Sequence, residues 1–444
     1  MASAAEQLAA NLNFGAFAKA EELKKRIWFT LGALVIYRLG TYIPLPGINL
    51  EALRQAFDQQ SQGILGLFNM FAGGAVGRMA IFALGIMPYI SASIIVQLLA
   101  GVLPSLEALK KEGEAGRKKM NQYTRYLTVV LGVVQAYGIA VGLQGQGSIV
   151  INPGPFFIVS TVLSLLGGTM FLMWLGEQIT SRGIGQGTSL IIFAGIVAGL
   201  PSALAGMLEL GRQGALGTGI IIGILVLAVV VIAAIVFVER AQRRLIIQYP
   251  KRQIGNRMFQ GDSSHLPLKL NTAGVIPPIF ASSLLLVPAT LAGFAGTDAS
   301  TGWLQTITTL LGHGQPLYML FYAGMIAFFA FFYTAIVFNP TDTAENLKKH
   351  GGFIPGIRPG ERTAQYIDYV LTRITVIGAI YLVVVCLLPE FLISATGVPF
   401  YFGGTSLLIV VSVTMDTVAQ IQGHLLAHQY EGLIKKSKLR GRRR

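Results

Sequence analysis

The sequence predicts an all-α polytopic membrane protein: ten transmembrane helices in two inverted five-helix halves around a central path. Three observations carry this. Of 444 residues, 53% are hydrophobic and 12% charged, whereas a soluble globular chain carries about 25% charged residues. Ten apolar runs are long enough to cross a bilayer. Lys and Arg, giving a net charge of +14, gather in every second connection, as basic residues do in cytoplasmic loops.

The runs cover residues 27–43, 79–99, 127–143, 156–175 and 184–200, then 217–238, 272–292, 317–338, 370–388 and 398–419. The fifth is short and glycine-rich at its start, so it is expected to begin deep or tilted. Of the 34 Lys and Arg, all but Arg38, Arg54, Arg78 and Arg212 lie before the first run, in the even-numbered connections (the 8/9 segment counted through Arg373) or in the tail. The alternation survives all ten spans and puts both termini in the cytoplasm. Five spans per half is an odd number, so the halves are inverted. Inverted repeats often place the working site between them near the midplane.

The resulting segments are a cytoplasmic N-terminal segment 1–26, an N-terminal half 27–200 and a C-terminal half 201–420 with cytoplasmic loops 239–270 and 339–369. A basic tail, 421–444, follows.

Residues 64–75 (ILGLFNMFAGGA) are apolar yet too short to span. Roughly 12 residues at 1.5 Å each reach about 18 Å, against a hydrocarbon core of about 30 Å. They lead through Arg78 into the second run. Such a re-entrant piece is tolerated at membrane depth only when buried in protein or lining a wet cavity. A static interfacial helix is the other reading.

Several function classes lack their residues. The first 20 residues hold no apolar stretch behind a basic start, so no cleavable signal peptide is expected. One cysteine, Cys386, allows neither an internal disulfide nor a cysteine metal cluster. No P-loop or H-E-x-x-H pair is present. The glycine cluster 182–187 (RGIGQG) follows no strand and reads as a helix-start turn rather than a nucleotide cradle. The span middles carry essentially no ionisable residues, which ion-coupled pumps need. A passive conduit driven from outside fits better than an enzyme or a pump. No metal or cofactor is expected.

Longer motifs then become specific. Residues 82–94 (FALGIMPYISASI), 173–179 (MWLGEQI), 265–269 (HLPLK), 353–361 (FIPGIRPGE) and 398–409 (VPFYFGGTSLLI) resemble the bacterial SecY family, the channel subunits of the Sec protein translocase. The resemblance runs from about residue 23 to residue 440.

It implies roles. The half-helix becomes a plug, with Phe68, Asn69, Met70, Phe71 and the pair Gly73 and Gly74. A mid-membrane ring of aliphatic side chains falls on Ile86, Ile90, Ile192, Ile279 and Ile409. Read alone, these isoleucines are core or lipid-facing. Thr188 stands at a ring position where the family commonly has an aliphatic residue. Its hydroxyl is expected to make the resting seal wetter or more dependent on the plug.

A lateral gate between the second and seventh spans falls on Ser91, Ser93, Gln97, Asn271 and Thr272. Ordinary interhelical glue is the plain alternative. Pro88, Pro277 and Pro278 are expected to bend these helices.

Loop 6/7 (residues 240–252, RAQRRLIIQYPKR) and loop 8/9 would dock the SecA ATPase and the ribosome. The residues are Arg243, Arg244, Lys251, Arg252, Arg257 and, foremost, Arg358. Without the resemblance, such loops set topology and touch anionic lipid. SecE, SecG, signal sequences, nascent chains and membrane lipids complete the implied partners, in the bacterial inner membrane. The rivals are an inverted-repeat secondary transporter, which would need charged midplane residues, and an insertase without a through-pore, which would not need a plug.

Overall fold

The computed structural model describes residues 21–60, 69, 71–145, 149–214, 217–249, 252–254, 257–259, 263–294, 315–396 and 404–441. Phe68, Met70 and Lys251 lie outside them. The helices of the N-terminal part are α1 (Glu21–Gly40), α2 (Leu50–Gln60), α3 (Met87–Val102), α4 (Pro104–Lys111), α5 (Glu114–Gly145), α6 (Pro155–Arg182) and α7 (Gly187–Arg212). Then come α8 (Thr218–Arg240), strands β1 (Gln242–Gln248), β2 (Arg252–Ile254), β3 (Arg257–Phe259) and β4 (Ser263–Lys269), and α9 (Ile276–Phe294). The chain finishes with α10 (Pro316–Val337), α11 (Pro340–Lys349), α12 (Glu361–Thr396) and α13 (Gly404–Gly441).

Each of the ten predicted runs overlaps a helix. Among the described residues, seven helical stretches are long and apolar enough to cross a membrane by themselves, eight if a bent pair counts as one. That pair is α3 and α4, which meet at 104°. Leu103, extended at φ −91° and ψ 118°, precedes Pro104 and makes the corner, as expected for a residue ahead of proline. Helix α1 fails the count because Lys24, Lys25 and Arg26 open it and Arg38 closes it.

Three local expectations need correction. The second span is not helical from residue 79. Residues 72–79 and 81–86 are turns, and the helix starts at Met87. Met79 (φ 41°) and Gly85 (φ 56°) take left-handed conformations there, which stop a right-handed helix. The half-helix likewise gives way to turns after Phe71, at Gly73 (φ 66°) and Gly74 (φ 82°), rather than running on to Ala75. Finally, Pro88 lies in the first turn of α3, and Pro277 and Pro278 in that of α9. There the missing N–H costs nothing, so these prolines start the helices instead of bending them.

Helices pack through glycine. A Cβ on Gly187 would collide with the carbonyl oxygen of Gly176, and one on Gly404 with that of Val385. Backbones of α6 and α7, and of α12 and α13, therefore touch, as small residues allow in membranes. The glycine cluster spends its amides on structure. Gly183 N–H donates to Ile179 O (2.8 Å), Ile184 N–H to Thr30 Oγ1 (3.0 Å), Gly185 N–H to Gln420 Oε1 (2.8 Å) and Gly187 N–H to Thr180 Oγ1 (2.9 Å). Those four amides are therefore not available to cradle a phosphate. The turn instead ties α1, α6 and α13 to the start of α7.

Candidate pore and its closures

Three large apolar clusters fill the bundle, and two of them bear on the expected ring and gate. One unites Ile86 of α3, Ile192 of α7 and Ile409 of α13, all buried, with Ile90 and Ile279 packed against them. Four helices from both halves thus bring five predicted ring isoleucines to one place. Ile86 caps the start of α3, so Ile90 follows one turn on. The other cluster, around Phe280, Tyr322, Ile326 and Leu408, is the core of the C-terminal half.

The half-helix segment seats in the ring's own cluster. Phe71, Ala72, Ala75 and Val76 belong to it. Its backbone lies so close to α7 that a Cβ on Gly195 would reach 2.8 Å from the Phe71 carbonyl oxygen and 3.1 Å from the Gly73 nitrogen. Gly73 and Gly74 thus form a left-handed turn, with Gly73 pressed on Gly195. Asn69 closes that turn: its carbonyl accepts from Gly74 N–H (2.7 Å) and its Oδ1 from Gly77 N–H (2.8 Å).

Thr188 is half-buried at the start of α7, one turn before Ile192. Its methyl faces Gly176 of α6. The methyl therefore serves the α6–α7 joint.

The gate residues do not pair across a seam. Gln97 Nε2 donates to Ser93 Oγ on the same helix (3.2 Å), and Thr272 Oγ1 donates to Lys269 O (3.0 Å). Asn271 is buried and donates to Glu239 Oε1 at the end of α8 (2.7 Å) and to Gly274 O (3.1 Å). It anchors the lead into α9 to α8. Ser91, on α3, is half-buried. What joins α3 to α9 is apolar: Ile94 and Leu98 pack with Phe280, Ala281 and Leu285. The physical reason is position, since the polar residues of α9's lead sit before the helix begins.

Loops 6/7 and 8/9 form one body. Strands β1 and β4 pair antiparallel from Gln242↔Lys269 to Gln248↔Ser263, and β2–β3 pair beyond them. Gln248 and Phe353 exchange both backbone hydrogen bonds (2.9 and 3.0 Å). Under that bridge Leu245, Leu268, Ile354, Ile367, Val370 and Ile374 make a small core. Arg243 and Arg244 are exposed on β1. Arg252 and Arg257 lie on the paired strands β2 and β3. Arg358 is exposed on a turn whose Gly356 (φ 83°) and Gly360 (φ 110°) need left-handed backbone. Thr363 Oγ1 donates to the Arg358 carbonyl (3.0 Å) and fixes that turn.

Sequence reading missed Arg38, Tyr42 and Gly195. The only available signal was that Arg38 and Arg78 stood among the four basic residues off the cytoplasmic side.

A family model described as SecY matches residues 80–418. The chain belongs to the SecY family. It is 57% identical to the protein translocase subunit SecY of Escherichia coli (strain K12), over 95% of this chain and 96% of that relative. Its fold resembles a solved SecY channel described as having a plug domain that stabilizes the closed state and maintains a membrane seal. The TM-score is 0.63 at 20% identity, covering 90% of this chain and 92% of that one. It also resembles Sec61 from the canine ribosome–channel complex of the endoplasmic reticulum, with TM-score 0.62, 19% identity and the same coverage. SecY membership and the apolar helices make this a multi-pass membrane protein of the protein-translocation class, not a solute transporter.

Proposed function

We propose that the chain conducts unfolded polypeptide between its two halves and releases apolar segments sideways into lipid. The carrying observation is the convergence of Ile86, Ile90, Ile192, Ile279 and Ile409, from four helices of both halves, on one cluster that also holds Phe71 and Ala72. Branched aliphatics make a narrow, poorly wetted constriction that blocks ions yet yields to a peptide. In this reading the isoleucines are the ring, and Asn69 and residues 71–75 belong to the plug. Thr188 lends a hydroxyl at the ring's edge. Ten spans cross the bacterial inner membrane with both termini cytoplasmic, α1 and the short α9 included.

The lateral exit lies between α3 and α9. Their apolar contact supports a gate that opens when a signal sequence offers equivalent apolar surface. Ser91, Ser93 and Gln97 then line the opened edge. Asn271 and Thr272 act one step removed, by anchoring α9's lead.

Energy comes from outside the chain. The stapled loops 6/7 and 8/9, with Arg243, Arg244, Arg252, Arg257 and Arg358, are the docking body for SecA or the ribosome. Lys251 belongs to the same basic stretch. Arginine suits both acidic protein and rRNA phosphate. SecE and SecG are the expected membrane partners, and anionic lipid meets the basic surface. The chain itself does no bond chemistry.

Reconstitution tests this. Vesicles carrying the chain with SecE and SecG, given SecA, ATP and an unfolded secretory precursor, should convert the precursor to a protease-protected form. Folded complex that protects none would contradict the proposal.

A further inference from the structure

The strongest unassigned feature is a pair of arginines that grips the plug segment from outside the ring. Arg38, two residues from the end of α1, sends Nη1 to the Gly73 carbonyl oxygen at 2.7 Å. Arg78 sends Nη2 to the same oxygen at 3.1 Å. Both guanidinium groups also lie over one ring, that of Tyr42, with centroid distances of 4.8 Å for Arg38 and 4.1 Å for Arg78. Arg38 Nη2 further donates to Tyr42 Oη at 2.8 Å. Beneath them the hydroxyl of buried Tyr37 lies 2.8 Å from where a Gly73 Cβ would be, so only glycine fits the gripped position.

The balance of this arrangement is informative. Neither arginine forms an ion pair with a carboxylate among the described residues. Two like charges share one neutral acceptor and one aromatic ring. Arg78 Nε is buried without a hydrogen-bond partner among the described residues, which disfavours the closed position. Cation–π contacts and a charge-assisted hydrogen bond favour it. A permanent clamp would pair each guanidinium with a carboxylate. This one is strong enough to hold a short segment and weak enough to release it.

We propose that Arg38, Arg78 and Tyr42 form a latch on the Gly73 carbonyl that sets how readily the plug leaves the ring. The latch rests on the reading of residues 64–75 as a plug. Arg38 and Tyr42 belong to the α1 end of the N-terminal half, whereas Arg78 travels with the plug's own connection to α3. Opening therefore breaks the Arg38 bond first and leaves Arg78 with the segment.

The test is resting ion conductance of the purified complex in planar bilayers. Arg38→Gln should raise the leak roughly tenfold, the population shift expected when one charge-assisted hydrogen bond is lost. Arg38→Lys should fall between it and the parent, because an ammonium keeps the charge but cannot stack and fork at once. Deleting residues 64–75 should raise the leak further, and adding Arg38→Gln to that deletion should change nothing. Should Arg38→Gln fail to assemble, Tyr42→Leu carries the same expectation. Tyr42 is 54% exposed, so its truncation should cost the fold little. A parental leak in Arg38→Gln, or in Tyr42→Leu where that stands in, alongside a leaky deletion overturns the latch and keeps the plug. A deletion that does not leak overturns the plug reading and the latch with it.

Discussion

Exchange of Arg358 for glutamate should abolish polypeptide transport by vesicles that contain fully folded complex. Its side chain is exposed on a turn held by Gly356, Gly360 and the Thr363 hydroxyl. Among the described residues no hydrogen bond or ion pair holds the guanidinium, so stability should change by less than about 0.5 kcal/mol, the usual range for such surface sites. Docking is another matter. A like charge placed against a partner's acidic surface costs several kcal/mol, or roughly 100-fold or more in occupancy. The readout is the amount of protease-protected precursor, with thermal unfolding in detergent as the control. Transport within about twofold of the parent would remove Arg358 from the docking surface.

Gly187→Val should show the opposite pattern and destabilise the fold itself. Its Cβ would collide with the Gly176 carbonyl oxygen, and the nearest obstacles are all backbone atoms of α6. No flexible side chain can give way, so α7 must shift from α6. Overpacking of this kind costs about 1–3 kcal/mol and sometimes more. The shift would also break the Gly187 N–H bond to Thr180 Oγ1. Gly219 of α8, where a Cβ meets nothing within 4 Å, is the matched control. Thermal unfolding in detergent should fall clearly for Gly187→Val and stay level for Gly219→Val. Equal midpoints would mean that the two helices are not in backbone contact.

The sequence made the helical class legible because hydropathy and the side-by-side alternation of Lys and Arg are long-range, redundant signals. Each of the ten runs lands on a helix. Helix ends were less legible. The start of α3 moved from residue 79 to Met87 because Met79 and Gly85 adopt left-handed backbone, which apolar composition does not reveal. The prolines of α3 and α9 were visible, but their effect depends on whether they fall in a first turn or a middle.

The ring isoleucines carried no signal of their own, since isoleucine in an apolar helix is ordinary. Family resemblance named them, and packing gathers them in one cluster. The expected gate residues are polar, and polarity alone does not say which neighbour each will bond. Asn271 found Glu239 rather than the opposite helix. Gly195, one more glycine among 53, owes its meaning to the segment that rests on it. Arg38 and Arg78 are 40 positions apart, and no pattern in the chain announces that they share one carbonyl.

A polypeptide in transit is expected to pass through the isoleucine ring. Cysteine crosslinking of a stalled secretory chain tests this most directly. Cys386 is first exchanged for serine, and single cysteines are placed at positions 86, 90 and 279. The stalled chain should crosslink to these positions and not to a cysteine on the exposed side of α8, such as position 229. Absence of crosslinks at all three ring positions, with the precursor demonstrably stalled, would contradict passage through the ring.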